Sequence, residues 1–466
     1  MNKNTGISIF NSLTRKLEPL TLNDAGELNM FVCGPTVYDY IHIGNARTFT
    51  IFDAFARFLR FKGIKLNYIQ NITDIDDKII NKANDLKISP EELSEKFTQA
   101  FIDDMTSIKA ISSNNLIKAT DKIPQIIAQV QKLIDKGNAY LIDNDGYYFD
   151  LTTFPDYGKL SKRTIQMAED GTSRIDENMH KRNQGDFCLW KFKKDENEPS
   201  WQSPFGEGRP GWHIEDTAIT ESVFGPQYDI HGGGQDLIFP HHEAEIAQQE
   251  SASGLSPFVK YWMHCAFLVN KEEKMSKSKG NFTTLRELIK NYSSEVIRYY
   301  FLSAHYRSPL SFDKTTMNSA EGGVERISNF MQRLHNFDAQ DQISLASDRN
   351  FKNEFNKALS EDFNTPKALS VIFDFIKETN IAINNNNLNI SQKNKSIEFM
   401  DCIDSILGIV PKNNKELPQD VQELIEKRLQ AKLAKNFQKS DELRTKIESL
   451  GYSIKDTKEG QILSQE

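Results

Sequence analysis

The chain has 466 residues, enough for roughly three to four domains rather than a single core. Its 57 Lys and Arg stand against 65 Asp and Glu, a net charge of -8, so the molecule as a whole is not a basic nucleic-acid binder and any phosphate-binding surface is a local patch. Cys33, Cys188, Cys265 and Cys402 lie far apart with no C-x-x-C pair, which excludes a four-cysteine zinc module and a disulfide framework.

The opening stretch Met1 to Arg15 is polar and lacks the apolar core of a signal peptide, and no segment reaches the length of a membrane span. A soluble cytoplasmic protein is expected. Asn29 to Cys33 reads as a short buried strand, broken by Gly34 and Pro35. From Ala46 to Lys62, Phe49, Phe52, Phe55, Ala56 and Leu59 recur at three- and four-residue spacing, which predicts a helix with Gly63 as its cap. Ile64 to Ile69 predicts a second strand, ending in the polar turn Asn71 to Asp77. Strand, helix, strand is a βαβ unit, so the expected fold class is α/β, a Rossmann-like parallel-sheet catalytic domain. Ligands of such sheets collect at the carboxyl ends of the strands, where Cys33, His42 and Thr73 fall.

Residues 1–115 are read as the first half of this domain and 116–203 as an insertion, with a helix at Ile123 to Lys136 and a hairpin about Asn144-Asp145-Gly146. The second half, 204–308, carries His213, His231, His241, His242 and His264 and a strand at Tyr261 to Val269. A helical bundle is expected over 309–410, interrupted by an Asn-rich loop at Asn384 to Asn387. The remaining 411–466 read as a linker and a small C-terminal α/β domain, with helices at Gln419 to Ala434 and Ser440 to Leu450 and a strand from Tyr452.

Two short strings carry phosphate chemistry. His42-Ile43-Gly44-Asn45 sits where a loop becomes a helix, so the helix N-terminus offers N–H groups to an anion, Gly44 permits close approach, and His42 and Asn45 add donors. By itself this string fits a helix cap with a surface histidine equally well. Lys274-Met275-Ser276-Lys277-Ser278-Lys279-Gly280-Asn281 puts small hydroxyls between lysines, suited to folding over a polyphosphate. The two together, in this order, are far more specific than either one.

The pair resembles the signature sequences of class I aminoacyl-tRNA synthetases, with Asn45 where the first usually ends in His. The rest resembles one family, the cysteinyl-tRNA synthetases, over nearly the whole chain. The markers are Phe31 to Asp39, Asn71 to Lys78, Arg209 to Glu215, His231 to Leu237, Phe239 to Glu245 and Asp362 to Pro366. The resemblance implies activation of L-cysteine by ATP and transfer to tRNA(Cys), by a monomer that needs Mg2+ with its ATP. It assigns catalysis to His42, Asn45 and Lys277, and ATP binding to these three with Gly44, Asp236 and Lys274. Thr73 and Trp212 would line the amino-acid pocket, with Asp236 on either a ribose hydroxyl or the substrate ammonium.

It also implies a zinc ion held by two Cys, one His and one Glu. Cys33, His241 and Glu245 match, and the spacing of four between the last two puts both on one helix face. The second cysteine corresponds to Asp216. Zinc held by all four, zinc held by three, and an empty site all follow from that change; the expectation is bound zinc with Asp216 as ligand or near-ligand. Cys188 and Cys265 read as buried small apolar residues. In the C-terminal region Lys427, Arg428, Lys432, Lys435, Lys439, Arg444 and Lys446 outnumber Asp441 and Glu442, where the family places its anticodon-binding domain. Two rivals remain: a ligase joining cysteine to an amino sugar, which would lack the regions after Ser308, and a non-catalytic tRNA-binding relative.

Overall fold

The computed structural model describes residues 4–163, 180–196, 198–270, 273–274, 283–340, 349–411, 419–434, 436–457 and 460–465. An antiparallel hairpin, β1 (Asn4–Asn11) and β2 (Lys16–Thr21), precedes the βαβ unit of β3 (Leu28–Val32), α1 (Ile43–Phe61) and β4 (Leu66–Ile72). Gly63 follows at φ +76°, a left-handed turn open to glycine without strain. Helices α2 (Asp77–Leu86) and α3 (Pro90–Ser107) lead to β5 (Asn115–Lys118), which hydrogen-bonds to β4. Residues 116–118, expected at the start of the insertion, therefore belong to the edge of the main sheet.

After α4 (Ile123–Asp135), four antiparallel strands form a separate sheet: β6 (Ala139–Ile142), β7 (Gly146–Phe149), β8 (Phe187–Phe192) and β9 (Gly208–Pro210). The chain then returns through α5 (Ile214–Phe224), β10 (Tyr228–Gly234), α6 (His241–Ser253) and β11 (Val259–Cys265). The main sheet is parallel throughout, in the order β11-β10-β3-β4-β5. The expected strand Tyr261 to Val269 is two strands. β11 ends at Cys265, and β12 (Leu268–Asn270) pairs with β13 (Glu273–Lys274) and β14 (Leu310–Ser311). At the break lies the fully buried Arg47 of α1. Its guanidinium donates to the carbonyls of Ala266 and Phe267 at 2.8 and 3.1 Å and of His305 and Ser308 at 3.2 and 2.8 Å.

The remainder is helical: α7 (Leu285–Asn291), α8 (Ser294–Leu302), α9 (Lys314–Asn336), α10 (Phe351–Ser360), α11 (Thr365–Asn384) and α12 (Ile390–Leu407). The predicted stripe of α1 is buried, but so are Ile51, Ala54 and Phe58, because α8 and α12 cover the face away from the sheet. The chain closes with α13 (Gln419–Leu433), α14 (Phe437–Ser449) and the hairpin β15 (Tyr452–Thr457) and β16 (Gly460–Gln465). Arg428, expected on the basic face of this region, is buried. No helix among the described residues is long and apolar enough to cross a membrane.

Candidate active site and metal centre

A cavity of about 460 Å³ opens at the carboxyl ends of β3, β4, β10 and β11. Cys33, His42, Gly44, Asn45, Thr73, Trp212, Asp216, Asp236 and His241 all line it, so the strand-end argument from the sequence holds for residues drawn from both halves of the domain. Glu245 lies behind His241. Lys274 ends the short strand β13, and Lys277 lies outside the described residues.

The phosphate end differs from expectation in one respect. His42 is the N-cap of α1, and its Nδ1 accepts from the N–H groups of Gly44 and Asn45 at 3.1 and 3.3 Å. The Ile43 N–H donates to the Thr283 carbonyl at 3.0 Å and the Ala46 N–H to His42 at 3.2 Å. The first turn thus has its N–H groups engaged, and what it offers an anion is side chains and the helix dipole. With Nδ1 accepting, the ring proton sits on Nε2. Gly44 is needed for this cap, since a Cβ there would lie 2.8 Å from the His42 ring. The cap reading and the catalytic reading of this string are compatible.

At the other end, Cys33 follows β3, Asp216 sits in the first turn of α5, and His241 and Glu245 share one face of α6. One donor atom from each lies within 4.8 Å of all the others. Cys33 Sγ is 3.4 Å from Asp216 Oδ2, and His241 Nε2 is 3.0 Å from that oxygen and 3.2 Å from Glu245 Oε1. All four are buried. Neither oxygen of Glu245, nor Oδ1 of Asp216, has a hydrogen-bond partner among the described residues. Burial, then the Asp216 carboxylate, pushes Glu245 well above the usual carboxylate range. Burial, then Asp216 and Glu245, likewise pushes the Cys33 thiol up. Two carboxylates and a thiol buried together form an unfavourable cluster, which a divalent ion would relieve.

Comparison with known proteins shows what this arrangement belongs to. Residues 19–322 match the class I (C) tRNA synthetase catalytic domain and 354–411 the DALR domain. The chain is 42% identical to a Cysteine--tRNA ligase of Finegoldia magna, covering 98% of this chain and 99% of that one. It is 41% identical to the enzyme of that name from Thermoplasma acidophilum, over 96% and 98%. The chain belongs to the cysteine--tRNA ligase family. Its fold is shared more widely: a methionyl-tRNA synthetase of Mycobacterium tuberculosis with methionyl-adenylate superposes with a TM-score of 0.58 at 13% identity, over 82% of this chain and 92% of that one. An Agrobacterium radiobacter LeuRS-tRNA-LeuAMS complex gives 0.59 at 10%, over 84% and 85%.

Asp216, where the sequence resemblance implies a second cysteine, reaches the same cluster as Cys33. A second set sharing Cys33 and Glu245 is completed by His231 and His242, which sequence reading left among the histidines without a role. Their Nε2 atoms lie 3.3 and 3.2 Å from Cys33 Sγ. The five histidines named in the sequence do cluster. His213 meets His241 at 2.8 Å, His242 meets His264 at 2.8 Å, and Trp212 and Trp262 stack on His241 and His231. Burial pushes His264 down to about 3 and His231 and His242 well below the usual imidazole value, so these rings are neutral donors or acceptors. Thr73 donates to the fully buried Glu215 at 2.9 Å, and Tyr38 and Lys78 join the cavity wall. Glu215, Tyr38 and Lys78 were inside quoted motifs but carried no periodic or spacing signal of their own.

Proposed function

We propose that the chain is a cysteine--tRNA ligase acting at this cavity. The observation that carries the reading is one cavity with His42 and Asn45 at one end and the Cys33, Asp216, His241 and Glu245 cluster at the other. ATP, with Mg2+, takes the first end, and L-cysteine takes the second, between Thr73 and Trp212. The cysteine carboxylate attacks the α-phosphate, the bond to the β-phosphate oxygen breaks, and pyrophosphate leaves with the electron pair. His42 donates from Nε2 and Asn45 from its amide to phosphate oxygens, while Lys277, with Lys274, neutralises the charge that develops there. Asp236, at the mouth, orients either the ATP ribose or the substrate ammonium. The terminal ribose hydroxyl of tRNA(Cys) then attacks the adenylate carbonyl carbon, and AMP leaves.

Cys33, Asp216, His241 and Glu245 would hold a zinc ion, which when bound lowers the pKa of a coordinated thiol and binds a hydroxyl far less well. Such a preference selects cysteine over serine more strongly than packing, whose methylene-sized differences are worth about 1–3 kcal/mol. Cysteine-dependent ATP–pyrophosphate exchange, followed by charging of tRNA(Cys), tests the reading. Exchange with cysteine and none with serine is expected; absence of cysteine-dependent exchange in folded protein overturns it.

A further inference from the structure

A centre built from Cys33, Asp216, His241 and Glu245 reads a thiol, and by itself it accepts any small thiol that fits the cavity. The rest of L-cysteine, an ammonium and a carboxylate, has to be read by the cavity wall. Three aspartates line that wall, Asp39, Asp216 and Asp236, and among the described residues a single Lys or Arg side chain does so, Lys78. Asp39 is paired with Lys82 at 2.9 Å, which leaves the charges of Asp216 and Asp236 to meet an incoming substrate. A substrate carboxylate is repelled by those two unless a cation stands near its place of binding.

Lys78 lies in the first turn of α2, exposed at the rim of the cavity. Its ammonium stands 5.8 Å from the centroid of the Tyr38 ring and 5.9 Å from that of Trp212. Trp212 in turn stacks on His241 at 4.4 Å, so one aromatic ring separates this ammonium from the metal-binding cluster. The acidic neighbours of Lys78 in the chain are engaged elsewhere. Asp76, the N-cap of α2, accepts from the Lys78 backbone N–H at 2.8 Å, and Asp77 pairs with Lys191 at 3.0 Å and with Arg209. A cysteine held at the cluster by its thiol carries its carboxylate away from the metal ligands, along the Trp212 face, toward the Lys78 ammonium. We propose that Lys78 binds the carboxylate of L-cysteine, so that the cavity selects an amino acid over other small thiols. By holding one carboxylate oxygen it leaves the other for the α-phosphate at the His42 and Asn45 end. This rests on the reading that the chain activates cysteine, and it goes further by naming the group that recognises the carboxylate.

The test uses the full-length enzyme with Lys78→Met, which keeps the stem beside the rings and removes the charge, and Lys78→Arg as the charge-keeping control. The probe is cysteamine, which is L-cysteine without its carboxylate, as a competitive inhibitor of pyrophosphate exchange. Wild-type enzyme must first show cysteine-dependent exchange; if it does not, the functional reading itself fails. Given exchange, the Lys78→Met variant raises the KM for cysteine about tenfold or more, the loss of one charge-assisted contact. Its Ki for cysteamine stays at the wild-type value, because that ligand has no carboxylate to lose. Lys78→Arg recovers most of the KM. An unchanged KM for cysteine overturns the proposal. So does a Ki for cysteamine that rises in step with the KM, which would make Lys78 a packing element of the pocket. A defect confined to the KM for ATP or for tRNA overturns it as well, by assigning the ammonium to a phosphate.

Discussion

The backbone N–H of Ile43 donates to the carbonyl of Thr283 at 3.0 Å, and two residues on each side the bond is returned, Leu285 N–H to Ile41 at 3.0 Å. The segment that follows Lys274 to Asn281 is thereby held as a short bridge against the turn that carries His42. The turn that carries His42 is thus joined by backbone to residues more than 200 positions further along the chain. Any change in the seating of α1 is therefore felt at residues 283–285 as well.

His42 has two separable duties under this geometry. As N-cap it satisfies the Gly44 and Asn45 N–H groups, and as donor it presents Nε2. His42→Asn keeps a good cap and loses the ring, so its melting temperature should stay near wild type while the exchange rate falls by about two orders of magnitude. His42→Ala should lose the same rate and about 1 kcal/mol of stability besides. Thermal unfolding read beside exchange kinetics separates the duties; equal rates for wild type and His42→Asn would remove His42 from the chemistry.

Asp216, where the sequence resemblance implies a soft thiolate, offers a hard carboxylate oxygen to a cluster with one sulfur and one imidazole. Asp216→Ala should retain much less zinc than wild type after mild dialysis, and Asp216→Cys at least as much. Circular dichroism confirms that each variant is folded, and elemental analysis gives the stoichiometry. Zinc-free wild-type enzyme with full activity would sink the assignment.

The basic C-terminal face predicts a defect confined to the tRNA step. Lys439 is exposed and meets Glu442 at 3.3 Å, and Lys427 meets Glu423 at 3.2 Å, both weak surface pairs. Neutralising Lys432, Lys435 (outside the described residues) and Lys439 should raise the KM for tRNA and leave pyrophosphate exchange intact. Equal loss of both activities would count against a role in tRNA binding. Arg428→Ala should act differently, loosening α13 against its surroundings because that side chain is buried.

What was legible in the sequence is what depends on neighbours along the chain. The α1 stripe is a periodic pattern, His241 and Glu245 are one helical turn apart, and Cys33 and Thr73 each follow a strand. What was not legible depends on partners far away. Nothing near Arg47 announces that it will be buried on four carbonyls beside the break at Ala266. His231 and His242 were visible as members of a histidine-rich stretch, but their approach to Cys33 needs β10 and β3 to be adjacent, which only the sheet order supplies. Arg428 misled for the opposite reason: charge counts along a helix say nothing about which turn is covered.

Arg298 supplies the sharpest test of how the catalytic sheet is tied to the helices behind it. It is fully buried and pairs with Asp53 of α1 at 2.8 Å. It also donates to the carbonyls of Leu407 at 2.7 Å, Ile108 at 3.2 Å and Lys109 at 3.1 Å. Gly408, at φ +66°, closes over it, and a Cβ there would lie 2.6 Å from the guanidinium Nε. Removing one partner of a buried pair is costly because the other charge is left behind. Here Arg57 stays on Asp53 at 2.9 Å, so Arg298→Leu should cost about 3 kcal/mol, the lower end for such sites. Adding Asp53→Asn should return nothing, because Arg57 and Ser112 still hold that carboxylate. Gly408→Ala should destabilise without touching any charge, by steric displacement of the same guanidinium. Urea unfolding of the three variants decides the matter: an Arg298→Leu variant as stable as wild type would mean that α8 and α12 are held to α1 by apolar packing alone.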